Sequence, residues 1–425
     1  MAGHTRFLAL WAALLLLGPA GCGGDLQKVL DQLAGRPAAQ SATGTADQAP
    51  VSVPSGPHLY CITNIGHTLV AFSLAERRVL PGTRRYLDLD PVGPWFAGGL
   101  GYYLARVDTS GAGANALVEF DPASATERRR LKFAALSNPT ALLLPPAFPG
   151  IAWVALRGST FDNFLTNGVA VVDLAAFTAS VRDLNALRTA AGTAVGALVG
   201  GQKLTSLAGL LWDGACPAAG GAPCVYALVN NFDGQVRNGW LLALGLDATG
   251  GPVLLDAVAV GLNPMEDMYL DAARRELWVV NNGGYSPGGQ PGTLQVLDTT
   301  RIGDGIPGNE TVATVALSAL GAVGADPTGI WGLGADSAWV TTYPSDALLA
   351  VSLPGRSAAP IAPAALTLTG PLIHTASPSP ALYAGKGGFG PALLAELDPA
   401  SGALLATHDL QSGNGPVSCA EYRVP

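Results

Sequence analysis

One pattern recurs seven times along this chain and restricts its fold more than any other feature. A short aromatic or β-branched segment appears as Leu59-Tyr60-Cys61-Ile62, Tyr102-Tyr103-Leu104-Ala105, Ala152-Trp153-Val154-Ala155, Val225-Tyr226-Ala227-Leu228, Leu277-Trp278-Val279-Val280, Ala338-Trp339-Val340-Thr341 and Leu382-Tyr383-Ala384-Gly385. After a polar loop rich in Gly or Asn, each copy is followed by a second segment that often ends in Asp. Examples are Leu117-Val118-Glu119-Phe120-Asp121, Val169-Ala170-Val171-Val172-Asp173 and Leu294-Gln295-Val296-Leu297-Asp298. Residues of these types suit strands.

A third, more polar segment follows each pair, as in 84–89, 252–260 and 404–410. Its polar alternation suits a strand with one wet side. A fourth begins near a proline, as in Asn138-Pro139-Thr140, Asn263-Pro264-Met265, Asp326-Pro327-Thr328, Gly370-Pro371-Leu372 and Gly415-Pro416-Val417, and the first residue of a strand tolerates proline. Copies stand about 43 to 73 residues apart, the two longest periods holding insertions at 185–203 and after Asn281. Four-stranded units at that period predict an all-β, seven-bladed propeller over residues 58–425. The 55 Gly and 32 Pro agree, since both punctuate turns and neither suits long helices.

The order of segments predicts how the ring closes. The chain enters at Leu59-Tyr60-Cys61-Ile62 without the proline-led strand that precedes the other copies. That strand appears at the far end, as Val417-Ser418-Cys419-Ala420-Glu421-Tyr422. The C-terminus therefore completes the blade that the N-terminus begins, which removes exposed sheet edges. Cys61 and Cys419 come onto adjacent strands, which can supply the Cα separation of about 4.4–6.8 Å that a disulfide needs. Two buried free thiols are the alternative. Cys216 and Cys224 flank the tight loop Pro-Ala-Ala-Gly-Gly-Ala-Pro and are expected to be bonded.

Disulfides require an oxidising compartment, and the N-terminus supplies a route there. Positive charge lies within residues 1–6, and the apolar run 7–17 is too short for a bilayer, which needs about 20 residues. Gly18-Pro19-Ala20-Gly21-Cys22 follows, and small residues before a cysteine resemble the bacterial lipoprotein signal. That resemblance implies removal of residues 1–21 and acylation of Cys22. Because Gly23 rather than Asp follows, it also implies sorting to the outer membrane. Pro19 stands where the pattern usually has Leu, and an ordinary secretory signal cut nearby, with Cys22 lost, is the alternative. Residues 22–57 read as a short amphipathic helix over 25–36 and a flexible tether over 37–57, too poor in large apolar side chains to fold.

The strand pairs resemble the Tyr-Val-Thr-Asn (YVTN) propeller repeat family of surface-layer and periplasmic proteins. The matching residues are Tyr60-Cys61-Ile62-Thr63-Asn64, Leu277-Trp278-Val279-Val280-Asn281-Asn282 and Trp339-Val340-Thr341-Thr342, and the resemblance spans nearly all of residues 58–425. It implies the fold, and it implies that the loops between the two strongest strands of each blade open on one face of the disc.

Chemistry is sparse in the sequence. The net charge of −8 argues against nucleic acid, which needs a basic face, and against an anionic lipid surface. There is no Cys-x-x-Cys-His, His-Glu-x-x-His, Walker loop, Gly-x-Ser-x-Gly elbow or EF-hand loop. None of the five His pairs with another at ligand spacing, and no metal site is read. Asn309-Glu310-Thr311 fits a glycosylation acceptor by chance. Two regions remain. One is the loop set: Phe161, Asp162, Asn163 and Phe164; Asn230, Asn231, Phe232 and Asp233; Asn281, Asn282 and Tyr285; then Tyr343 and Phe389. Aromatics beside adaptable amides on a rigid scaffold suit recognition, although Asn and Gly also simply build turns. The other is the axial channel, where Glu266, Asp267 and His374, with Asp213 and Glu421 nearby, form a weak catalytic set that could hold Ca²⁺ or act as a general base. The expectation is a monomeric, lipid-anchored binding or scaffolding module for a protein or glycan partner, touching the membrane only through its lipid. The alternative is a lactonase-like hydrolase working through channel carboxylates.

Overall fold

A computed structural model describes residues 51–425 apart from 88, 108–114, 160–162, 192–202, 233–235, 284–290, 325–326, 343–347, 362–367, 376–379, 387–390 and 416. The strands form seven antiparallel sheets in a ring, a seven-bladed β-propeller. The innermost strands of blades 2 to 7 are Leu89–Ala97, Pro139–Leu143, Leu207–Asp213, Pro264–Asp271, Pro327–Gly332 and Leu368–Thr375. Blade 1 takes its innermost strand from the chain's end. Val417–Val424 pairs antiparallel with Gly56–Thr63, and it packs against the innermost strands of both blade 7 and blade 2. The closure read from the order of segments is thus the observed one.

Each seam between blades holds its own hydrophobic cluster, which explains the composition of the repeated strands. In Gly56–Thr63, Leu59 and Cys61 enter the seam with blade 7, while Tyr60 and Ile62 enter the seam with blade 2. Both faces of a middle strand are therefore buried, so such strands read as continuous apolar runs rather than alternating ones. Each fully buried large side chain in these seams contributes about 1.5–3 kcal/mol. The outermost strands have no such constraint, and Thr178–Asp183 is almost wholly exposed.

The repeated aromatic also ties blades together through its polar tip. Tyr60 Oη donates to the Pro122 carbonyl of blade 2 at 2.5 Å, and Trp153 Nε1 donates to the Gly250 carbonyl of blade 4 at 2.8 Å. The recurrent Asp that ends the third strand has a local task. Asp121, Asp173, Asp247, Asp298 and Asp398 each accept, through Oδ1, the backbone N–H two residues on, which fixes the turn to the fourth strand.

Both disulfides form as the sequence implies. Cys61 and Cys419 are opposite in register with Cα atoms 4.1 Å apart, and Cys216–Cys224 closes the blade 4 loop. The folded body starts earlier than the expected boundary at residue 58, with the first strand opening at Gly56. Val53 is buried in the seam of blades 1 and 2, and the Val53 and Val51 N–H groups donate to the Ala123 and Ser124 carbonyls. These two valines are the apolar residues that the tether reading passed over. Where the insertion at 185–203 is described, it begins within a helix, Leu184–Ala190, capped by Asp183 Oδ1 accepting from the Ala186 N–H at 2.7 Å.

Candidate functional site

Strands alternate in direction, so a blade's connections divide between two faces. The first-to-second and third-to-fourth strand turns share one, the turn face. The second-to-third strand loops and the crossovers between blades share the other, the loop face, which carries the residues expected to bind a partner.

On the loop face the amides are engaged within the fold. Asn230, Asn231, Asn281 and Asn282 are all buried. Asn230 Nδ2 donates to Asn263 Oδ1 at 2.7 Å and to the Pro264 carbonyl at 2.8 Å. Asn263 Nδ2 donates to Asn282 Oδ1, and Asn282 Nδ2 donates to the Pro327 carbonyl at 3.0 Å. Asn64 repeats the bond to Pro91, at 3.2 Å. Asn64, Asn230 and Asn282 each stand four residues after the repeated aromatic and staple their blade to a proline in the innermost strand of the next. The prolines seat on glycine: a Cβ at Gly239 would meet Pro264 at 2.2 Å, and one at Gly292 would meet Pro327 at 2.1 Å. Asn230 and Asn282 thus use their donors across the seams, and Asn231 and Asn281 use theirs within their own blades, on the Asn238 carbonyl and on Thr293 Oγ1.

Blade 3 breaks the pattern. Four residues after Trp153 the staple is Arg157, whose Nε donates to Ser206 Oγ at 2.7 Å, just before the innermost strand of blade 4. Its guanidinium lies 6.0 Å from the centroid of the half-buried Phe232 ring, within cation–π range. In the loop that follows Arg157, Asn163 is exposed and its carbonyl accepts from Lys203 Nζ, and Leu165 stands 76% exposed. Phe164 is buried beneath the loop, its N–H donating to the Ser159 carbonyl at 2.7 Å. The described parts of two expected loops, Asn163-Phe164 and Asn230 to Phe232, thus both lie at the junction of blades 3 and 4. Arg157, Leu165 and Lys203 were not singled out from sequence. The arginine at the staple position was the available signal. Phe161, Asp162, Asp233, Tyr285, Tyr343 and Phe389 lie outside the described residues.

The channel set is less cohesive. Asp267 is half-buried in the bulge between Pro264 and Met268, held against Gly329 of blade 6, where a Cβ would meet its Oδ2 at 2.4 Å. Glu266 shares that bulge and His374 sits on Leu368–Thr375, two blades away, and the side chains of both lie outside the described residues. Glu421 is exposed on the closing strand. Asp213 lies at the turn-face end of its strand. Burial pushes its carboxyl up, but the Arg275 guanidinium and the Ala215 N–H outweigh this and hold it below the usual carboxylate range. Among the described residues, Asp213, Cys216 and Cys224 group closely enough to share a metal, but the sulfurs are bonded to each other and the carboxylate is paired with Arg275.

On the turn face, arginines clasp neighbouring blades. Arg77, Arg275 and Arg356 each occupy a turn position with positive φ. Each reaches back to a buried carboxylate of the preceding blade, respectively Glu396, Asp213 and Glu276. Glu396 also accepts from His408 Nε2 at 2.9 Å.

No protein-family model matches the chain, and no curated protein does. Solved structures do. A protein from Lactobacillus plantarum aligns over 86% of this chain and 100% of its own at TM-score 0.57 and 8% identity. The dihydro-heme d1 dehydrogenase NirN in complex with DHE aligns over 92% of this chain and 78% of its own at TM-score 0.45 and 11% identity. YCF48 from Cyanidioschyzon merolae aligns over 79% and 94% at TM-score 0.48 and 10% identity. At such identities the likeness concerns the fold alone. The disulfides fit an oxidising compartment, and no described helix is long and apolar enough to cross a membrane.

Proposed function

We propose that this protein is a binding module of the bacterial cell envelope, of the YVTN-repeat kind, held at the outer membrane by lipid on Cys22. Its partner is engaged by the loop face at the junction of blades 3 and 4. The observation that carries the reading is the set of groups at this junction: Arg157 against the half-buried Phe232 ring, Lys203 bonded to the exposed Asn163, and Leu165, two residues further along the same loop, 76% exposed. An aliphatic anchor, an aromatic and cationic groups held by a rigid frame form the kind of surface on which protein partners concentrate binding energy. A protein is favoured over a glycan by Leu165, which offers a sugar no hydrogen bond.

The test is co-purification from envelope extracts with the mature chain, comparing the native protein with Leu165→Asp and Phe232→Ala. The reading expects a discrete protein partner, lost in both variants, with unfolding free energies held within about 1 kcal/mol of the native value. Equal recovery from all three proteins would contradict it. Mass spectrometry of the mature N-terminus checks the lipid on Cys22.

A further inference from the structure

The net charge of −8 hides a segregation that the ring makes visible. The outermost position of blade 1 is filled by two short strands, Arg78–Val79 and Arg85–Tyr86, and that of blade 2 by Thr126–Lys132. Arg78, Arg84 and Arg85 stand on the first, counting the residues between its two strands, and Arg128, Arg129, Arg130 and Lys132 on the second. The outermost strands of the other five blades are Thr178–Asp183, Pro252–Leu262, Thr311–Ala316, Ser357–Pro360 and Leu404–Asn414. Together they hold one arginine, Arg182, and no lysine. Residues 51–190 carry 12 Lys and Arg against 10 Asp and Glu, and residues 191–425 carry 8 against 18. Positive charge therefore gathers on one arc of the rim.

The two blades are joined at this arc. Arg85 is buried between them, its Nε donating to the Ala125 carbonyl of blade 2 at 3.0 Å and its Nη1 to the Gly82 carbonyl of blade 1 at 2.9 Å. Around it Arg84, Tyr86, Arg128 and Lys132 are exposed, and the Arg78 and Arg128 side chains keep 60% and 52% of their surface in water. Among the described residues, four carboxylates pair with or border these seven cations. Glu76 pairs with Arg78, the buried Glu119 with Arg129, and Glu127 with Arg130, while Asp121 is held in its turn by Ser124 Oγ and the Ala123 N–H. Positive charge is thus in excess, and it is spread along two strands rather than converging on a point. That suits a plane of anionic groups rather than a single phosphate. Tyr86 adds an aromatic of the kind that sits where an apolar body meets a wet surface.

The chain enters the fold inside this arc. The Val51 N–H donates to the Ser124 carbonyl of blade 2, and a Cβ at Gly82 of blade 1 would meet Val51 Cγ1 at 3.3 Å. Cys22 stands 29 residues before Val51, a length whose coil dimension is about 30 Å. We propose that the basic arc of blades 1 and 2 docks on the phosphate headgroups of an anionic bilayer, the one in which lipid on Cys22 sits. The proposal rests on the envelope-anchored reading and adds an orientation to it. Surface charge acts only within about 8–10 Å at physiological salt, and this arc is the part of the ring that the tether brings closest to the anchor. The disc then stands on its rim. Both of its faces stay clear, including the loop face at blades 3 and 4.

The test is co-sedimentation of the full mature chain, kept unacylated by Cys22→Ser, with vesicles of phosphatidylcholine alone or mixed with phosphatidylglycerol. Tighter binding to the phosphatidylglycerol vesicles is expected, weakening as salt rises. Removing one charge, in Arg84→Gln or Lys132→Gln, should weaken it about five-fold, and Arg84→Gln/Arg128→Gln/Lys132→Gln on the order of 100-fold. Arg423→Gln, at an exposed arginine on the innermost strand of blade 1, should leave it unchanged. Equal binding to both vesicles, binding that survives the triple substitution, or an equal loss in Arg423→Gln would overturn the proposal. So would displacement by inorganic phosphate at matched ionic strength, which marks a discrete phosphate site, or tighter binding to soluble polyglutamate than to vesicles, which marks a protein partner. Because the chain tested carries no lipid, failure of the Cys22 reading shows separately, as an unmodified native N-terminus with vesicle binding intact. Failure of the loop-face reading shows as partner capture that ignores Leu165→Asp.

Discussion

Cys61 and Cys419, 358 residues apart in sequence, face one another across the antiparallel pair that closes the ring. The bond converts a non-covalent seam into a covalent one. Replacing both by Ala is expected to lower the unfolding free energy by on the order of 2–5 kcal/mol, mainly by freeing the unfolded chain. Denaturant titration of native and double-variant protein checks this. The Cys216–Cys224 loop spans far fewer residues, so its removal should cost less.

The amide staples carry the second prediction. Asn282→Ala removes the donor to the Pro327 carbonyl and the acceptor for Asn263 inside a buried seam. The loss should be about 1–3 kcal/mol, as for buried groups left without partners. Partner capture through Leu165 should survive it, which separates scaffolding from recognition.

Legibility from sequence followed distance along the chain. The repeat, the closing strand and both cysteine pairs were readable because each rests on period or on a short loop. The part that amides play between blades was hidden for a physical reason. Asn after a strand looks like loop chemistry, and only the next blade's proline, 27 to 45 residues on, shows that Asn64, Asn230 and Asn282 are seam bonds. Arg77 and Glu396, separated by 319 residues, leave no local signal at all. Leu165 was not singled out, since exposure is a property of the packed ring.

Arg275 and Asp213 predict a response to acid. Asp213 is depressed in the folded state, so its stabilisation is present above the unfolded carboxyl value of about 3.9 and is lost as pH falls through the lower folded value. In Arg275→Met the burial remains and the guanidinium is gone, so the carboxyl rises. The stability gap between native and variant should be widest near neutral pH and should shrink below about pH 4. Chemical unfolding at several pH values measures it.

His408 acts in a higher window. Burial and then the Arg77 charge hold its pKa below the ordinary value of 6.5, since Arg77 already occupies Glu396. The unfolded chain therefore takes the proton first. Stability is full above about pH 6.5 and falls as pH drops toward the lower folded value. His408→Gln should flatten the curve there and leave the Asp213 window unchanged.

The central claim, a partner engaged by the loop face at blades 3 and 4, is tested most directly by position-specific photo-cross-linking in intact envelopes. The probe is placed at Leu165 and, separately, at Ile306, an exposed apolar residue of the turn face. A discrete protein adduct from position 165 and none of that mass from position 306 is the predicted result. The same adduct from both positions, or from 306 alone, would contradict the account.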